Sequence, residues 1–342
     1  MNEKEALRQL GFELNGGRLL PNEGDTAKIA MDAALQTVAN VSIPTMFATY
    51  YSPKVVEILQ APMMSTRIFD EEKRGDWKDE KTMFPVAEYV GQVTAYSDFS
   101  RGLVSDANIE NTVRDTHIYQ TAIQCGDLEH ERVAAQKLNL LSLKQEAAAK
   151  TLAIASNNFN FFGVEGKSLY GLLNEPNLPA AINASQVDNG GGKTAAWADK
   201  TAIQIYNDVL ELFNQISDAS QGLVQNDSKL KLLVPPSIIG HLRKVTDFGV
   251  SPLAVIQREF TNLEILSVPQ LVDDEGVASV MLIASDVGGE PTGVFGFMEK
   301  LRTSRVVQDL SYISQKWSAS TTGFLLFRPF GIATMTGVQK EP

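Results

Sequence analysis

The sequence predicts an α+β fold on three observations. A helix-forming run fills residues 127–159 without glycine or proline, residues 198–287 alternate helical and strand patterns, and the chain after Phe295 turns to long β segments. The helix is the strongest signal. Apolar residues Ala134, Leu138, Leu141, Ala148, Leu152, Ala155 and Phe159 recur in steps of four and three, interrupted at Gln145, and fall on one stripe. Val133, Leu140, Ala147 and Ile154 widen the stripe into a face that suits a sheet or another subunit better than a narrow coiled-coil seam. Roughly thirty residues is far beyond the usual three turns. Asp127 after Gly126 reads as the N-cap, with Glu129 and Glu131 early and Lys137, Lys144 and Lys150 later, the order the helix dipole favours. Gly163 and Gly166 close it.

Before the helix, residues 1–64 alternate short helical pieces (3–10, 26–38, 53–59) with turn signals at Asn15-Gly16-Gly17 and Pro44, an arm whose small apolar faces need a surface from elsewhere. Ser65 to Phe69 and Thr82 to Val86 read as a strand pair separated by the charged stretch Asp70 to Lys81. Such a tip projects into solvent or onto a neighbour, which makes Lys73, Arg74, Asp76, Trp77, Lys78 and Lys81 the expected inter-subunit contacts. Strand-like sequence continues from Tyr89 to Phe99. Behind the helix, Pro176 and Pro179 mark a turn and 188–192 a Gly/Asn-rich loop, followed by a helix over 198–217. Strands are expected at 230–234, 263–268 and 279–284, with short helices at 237–244 and 253–260. The final β-run covers 301–316, 323–327 and 330–336, interrupted at Arg328-Pro329 because proline cannot donate to a ladder.

Composition narrows the function. The 342 residues are 44% hydrophobic and 21% charged, ordinary for a globular chain of about two domains. A net charge of −11 argues against a surface built to grip phosphate backbones. The lone Cys125 has no partner for an intramolecular disulfide, and no window approaches a membrane span. A reducing cytoplasm is the expected place of synthesis.

Motifs for chemistry fail on inspection. Gly190-Gly191-Gly192-Lys193-Thr194 imitates the end of a phosphate loop, but position 187 is Val and no hydrophobic strand precedes it, so a flexible turn is the better reading. His117, His130 and His241 have no metal spacing. Arg74-Gly75-Asp76 sits in a charge run and counts for nothing as an adhesion tripeptide, and Cys125 has acidic neighbours that disfavour a thiolate. No catalytic, cofactor-binding or metal-binding residues are expected.

The order of parts carries a resemblance. Tyr170-Gly171-Leu172-Leu173-Asn174 looks like the Gly-hydrophobic-x-Asn link that follows a spine helix, and Leu326-Phe327-Arg328-Pro329-Phe330-Gly331-Ile332 like an aromatic-Arg-Pro turn near a C-terminus. Taken with the arm, hairpin and long helix, the chain resembles the major capsid proteins of tailed bacteriophages, the Hong Kong 97 fold shared with encapsulin nanocompartments. That resemblance implies an N-terminal arm (1–64), an E-loop with flanking strands (65–98), and a peripheral (P) domain (99–175) containing the spine helix 127–159. It further implies an axial (A) domain (176–298), return strands to the P domain (299–328) and a C-terminal A-domain segment (329–342). Leu138, Leu141, Leu152 and Phe159 become the spine-helix core, and Arg328 and Pro329 the domain junction.

The implied function is a major capsid protein forming hexamers and pentamers of an icosahedral shell around double-stranded DNA, bound without sequence specificity. It would be located in the virion and assembled in the cytoplasm of a bacterial host. Portal, separate scaffold or decoration proteins are implied partners, and no membrane is. Many relatives begin with a long coiled-coil scaffolding segment that is cleaved off, whereas no long heptad run precedes the hairpin here. An untrimmed chain with a separate scaffold, or none, is therefore expected. Lys73, Lys78 or Lys81 could crosslink to a neighbour's asparagine, though no pattern identifies one. Two alternatives stand beside this reading: an encapsulin-like shell with protein cargo, disfavoured by the extended arm, and a soluble α/β enzyme using 198–287, disfavoured by the missing catalytic set.

Overall fold

The computed structural model describes residues 12–15, 18–21, 63–95, 98, 104–134, 139–188, 193–245, 249, 251–273 and 276–339. Two compact units divide the chain between Val55 and Val56. In the first, strands Phe12–Asn15 and Arg18–Pro21 pair antiparallel. The helical pieces expected over 3–10, 26–38 and 53–59 lie outside the described residues, as does the loop 189–192.

The largest sheet of the second unit has five strands, in the order Leu263–Ser267, Leu230–Val234, Val280–Ala284, Ile332–Thr336, Ile182–Asn183. Successive pairs run parallel, antiparallel, antiparallel and parallel. Its strands are near-continuous apolar runs because both faces are covered, and their two-residue period sorts side chains between two cores. Leu230, Leu232, Val234, Val280, Leu282, Ala333 and Met335 meet Ile205, Val209, Leu212 and Ile216 of helix Ala202–Ala219. On the opposite face, Leu233, Met281, Ile283 and Ile332 meet Phe69, Phe161, Phe295 and Phe324. Thr201 and Gln204 start the helix with a reciprocal capping box. In the first core a buried ion pair, Lys200 with Asp208, is completed by Trp197 Nε1 donating to Asp208 Oδ2 at 2.9 Å and the Ser185 hydroxyl donating to Oδ1 at 2.5 Å.

A second sheet is built on two ten-residue strands, His117–Gly126 and Tyr312–Thr321, paired antiparallel along their whole length. The predicted strand 301–316 is in fact three pieces: Arg302–Thr303, Val307–Gln308 and the start of Tyr312–Thr321, on which the two short ones pair. The 23-residue helix Leu140–Phe162 lies against this sheet. Its ring contacts include Phe159 edge-on to His117 and Tyr119, at 5.1 and 5.0 Å.

The uninterrupted spine predicted over 127–159 is two helices, Asp127–Ala134 and Leu140–Phe162. Asn139 breaks the run. Its backbone is extended and its Oδ1 accepts the Ser142 N–H at 3.2 Å, satisfying a donor that a continuous helix would have paired internally. Leu152 is 5% exposed, whereas Leu141 and Phe159 are half-buried and Leu138 lies outside the described residues.

The predicted strand at 65–69 is a helical turn, Ser65–Ile68, held by tertiary partners that local propensity does not see. Ser65 N–H donates to Asn157 Oδ1 at 3.1 Å, and Lys231 Nζ donates to the Arg67 and Ile68 carbonyls at 2.9 and 2.7 Å. The following Glu71–Lys73 is the parallel edge of a three-stranded sheet with Gly293–Phe297 and Gly323–Leu326. Gly293–Phe297 thus stands outside the five-stranded sheet, and the chain has left that sheet before Glu299, where the return was expected. Thr292 makes the exit: its N–H donates to the Ser285 carbonyl, and its own carbonyl accepts Phe327 and Arg328 N–H at 2.9 and 3.0 Å.

Two segments meet at the end of the long helix. Gly163 closes it at φ +66°. The link then doubles back so that Leu172 and Leu173 N–H donate to the Asn160 and Phe161 carbonyls at 2.8 and 3.0 Å. Asn174 staples the turn, accepting from Gly171 N–H at 2.6 Å and donating to the Phe162 carbonyl at 2.7 Å. A Cβ on Gly171 would lie 2.3 Å from the Phe161 carbonyl carbon, a contact no side chain tolerates. Gly171→Ala is expected to lower the unfolding free energy by about 1–3 kcal/mol or more, read by urea denaturation of the unassembled subunit; an unchanged midpoint would mean the crossing is not tight. Asp208→Ala, which strands the Lys200 charge, is expected to cost about 3–5 kcal/mol, with the pair Lys200→Met/Asp208→Leu restoring most of it. Equal losses in the single and paired variants would contradict that reading of the buried pair.

Candidate assembly surface

Lys81–Val90 and Asp106–Asp115 form an isolated two-stranded ribbon in ten-residue register, from Lys81↔Asp115 to Val90↔Asp106. At about 3.3 Å per residue it reaches about 30 Å from its root. Directly opposed residues share a face, so Met83 and Val113 lie on one side while Phe84 and Arg114 lie on the other. The second side turns to the body: Phe84 packs with Val294 and Leu325, and edge-on to Phe327 at 5.8 Å. The first side is open and apolar. Met83 is 62% exposed, Ile109 66% and Val113 38%; Pro85 and the polar Asn111 opposite it lie exposed between them, and Ala107 lies exposed beyond Ile109.

The root is polar. Asp115 N–H donates to the Ser168 carbonyl at 3.1 Å and Ser168 N–H to Asp115 Oδ2 at 2.9 Å. Arg114 Nη2 donates to Glu175 Oε1 at 2.6 Å with its guanidinium 4.9 Å over the Tyr170 ring. Burial pushes the Glu175 carboxyl above its ordinary range while the Arg114 charge pulls it back. Nearby, burial first and then the Lys167 ammonium, 3.3 Å from His117 Nδ1, lower the His117 pKa.

The six residues expected on a projecting tip lie at the ribbon root and in the body. Lys73 ends the edge strand beside Phe297, and Arg74 pairs with Glu72 and stands 5.6 Å over the Phe327 ring. Asp76 N–H donates to Asp79 Oδ2 at 2.8 Å. Trp77 is half-buried with the Arg302 guanidinium 5.0 Å over its ring. Lys78 and Lys81 line a cleft of about 550 Å³ with Asp115 and Lys167, Lys81 standing 3.8 Å from Asp115. Charged residues suit this stretch because it is an edge strand and turn, where charge blocks unwanted pairing. At the other predicted site, Pro329 opens a short 3-10 turn, Pro329–Gly331, between strands. Arg328 is half-buried, and among the described residues its guanidinium makes no hydrogen bond or ion pair.

The returning half of the ribbon has a signal in the sequence: Ala107, Ile109 and Val113 alternate with polar neighbours at the two-residue period of a half-covered strand. Arg114 with Glu175, 61 positions apart, has no local signature. Among the described residues, no group of three or more His, Cys, Asp or Glu is placed to hold a metal, and no helix is long and apolar enough to cross a membrane.

Solved structures share this architecture. The capsid of Myoviridae phage XM1 aligns with a TM-score of 0.71 at 12% identity, covering 87% of this chain and 99% of that one. The capsid of a native GTA particle gives 0.56 at 14% identity over 90% and 99%, and Gordonia phage Cozz 0.55 at 11% over 89% and 98%. These establish an α+β fold of the Hong Kong 97 capsid type. No curated protein matches the sequence. The family described as Pa193 gp26 major capsid protein matches residues 34–337. The chain therefore belongs to that family, and is a major capsid protein of a bacteriophage shell.

Proposed function

We propose that this subunit assembles through its ribbon into hexamers and pentamers of an icosahedral shell that encloses double-stranded DNA. The observation that carries this is the open face of Met83, Pro85, Ile109 and Val113 on a two-stranded ribbon that, among the described residues, has no third strand or helix to cover it. An isolated ribbon is marginal in water, and a row of large apolar side chains on it gains by lying on a second copy. Each such side chain fully covered contributes about 1.5–3 kcal/mol. The gain is repeated at every subunit of a closed lattice, so modest contacts sum to a stable wall.

The five-stranded lobe would pack around the capsomer axis and the helix-on-sheet region would form the lattice wall. A net charge of −11 supports DNA held by confinement rather than by neutralised phosphates. Portal, scaffold or decoration proteins would be the other partners, with assembly in the host cytoplasm and the finished chain resident in the virion. The reading is of a structural protein with no reaction to perform.

Replacing residues 86–110 by an Asn-Gly turn removes the outer half of the ribbon, Ile109 included, while keeping Pro85 opposite Asn111. The variant is expected to fold and melt like the wild type but to sediment as unassembled subunit, and Ile109→Asp should reduce shell yield without moving the melting temperature. Normal shells from the shortened chain would reject the ribbon as the assembly element. DNA that survives nuclease in purified wild-type particles is the expected sign of the cargo; shells that hold protein alone would reject it.

A further inference from the structure

The ribbon is tied to the body at one strand end. Asp115 and Ser168 exchange two hydrogen bonds, and Thr116 N–H donates to the Glu80 carbonyl at 2.9 Å, all within a residue or two of one point. A strand held at one point can swivel about it. Fixing where the rest points takes a second directional contact to one side of the strand's axis. Phe84 provides it only in part, because its packing against Val294 and Leu325 has no preferred direction and its edge-on contact with Phe327 is a weak orienting one. On the other strand Thr82 Oγ1 donates to the Arg74 carbonyl at 3.3 Å, a long contact at the root, and the buried contact that reaches sideways from the ribbon is Arg114 with Glu175 and the Tyr170 ring.

That pair is not arranged to stabilise the fold. Both residues are almost fully buried, at 6% and 4% exposure, yet they share a single hydrogen bond where a fork could make two. Arg114 Nε, Glu175 Oε2 and the neighbouring Thr116 Oγ1 have no protein partner, three of the six such buried side-chain atoms among the described residues. Charges withdrawn from water and incompletely paired return little of their desolvation penalty, and removing both in favour of apolar groups is often neutral or stabilising. What a buried directional pair does supply is choice of one arrangement over others.

We propose that the Arg114–Glu175 pair is a positioning device that sets the direction in which the 81–115 ribbon leaves the body, at no net gain in stability. The consequence for assembly rests on the reading above, that the ribbon engages a second subunit; the direction itself does not. A ribbon held in one direction meets its neighbour already oriented, which spares the ordering penalty of association.

The test measures direction in the unassembled subunit. Spin labels go on Asn111→Cys, on the ribbon, and Glu165→Cys, on the body, both exposed, with the buried Cys125 replaced by Ala. Wild type is expected to give one narrow distance peak. Arg114→Met/Glu175→Leu is expected to lose that peak to a broad distribution while its melting temperature stays at or above wild type. Should the double variant fold poorly, Arg114→Lys, which keeps the charge and drops the planar fork, is expected to broaden the peak in the same way. A narrow unchanged peak in either variant, or a broad one in wild type, overturns the proposal. So does a double variant that keeps its narrow peak but melts far lower, since the pair would then serve stability. None of these readouts requires shells, so failure of the assembly reading would show separately as particles whose ribbons touch no neighbour.

Discussion

Where residues 169–174 pass the last turn of helix Leu140–Phe162, two backbones touch with no side chain between them. Gly171 makes this possible, and the Asn160 and Phe161 carbonyls, freed at the helix end, take the Leu172 and Leu173 N–H groups as partners. From that crossing follow the positions of the other parts. Leu172 enters the core shared by Phe161, Phe295, Phe324 and the underside of the five-stranded sheet. Tyr170 offers its carbonyl to Phe324 N–H at 2.8 Å, which registers the three-stranded sheet against the link. Glu175, a residue beyond the staple Asn174, is thereby carried to the ribbon root.

A subunit built this way divides its apolar surface in two. Nearly everything on the five-stranded sheet is spent inside, because alternate residues face one core or the other and neither face is left to solvent. The ribbon does the opposite. It buries Phe84 and Arg114 at its base and leaves Met83, Ile109 and Val113 uncovered along its reach. Among the described residues a buried core beside a projecting face with no cover of its own is the division of apolar surface expected of a part made for repetition.

How much of this was legible in the sequence depended on how local the physics was. The strands at 230–234, 263–267 and 280–284 were readable because burial on both faces makes short unbroken apolar runs. The capped helix Ala202–Ala219 and the break at Pro329 were readable from residues that act on their own neighbourhood. Asn139 was such a signal and was outvoted by the good helix formers around it. The hairpin was misplaced for a different reason. Ser65 to Phe69 is turned into a helix by Asn157 and Lys231, 92 and more positions away, so its strand-like composition was overridden by partners that no window contains. Among the proposed contact residues the same distance hides Arg114 and Glu175, and Trp77 reads as a tip because its cover, Arg302, lies far along the chain.

On the assembly proposed above, the open face of the ribbon is covered by a second copy of this chain. An electron cryo-microscopy reconstruction of the purified, assembled particle tests it directly. The 81–115 ribbon of each subunit is expected to lie on its neighbour, with Met83, Ile109 and Val113 buried against that neighbour and the root still held at Ser168. A particle in which those three side chains face solvent, or fold back onto their own subunit, would contradict it.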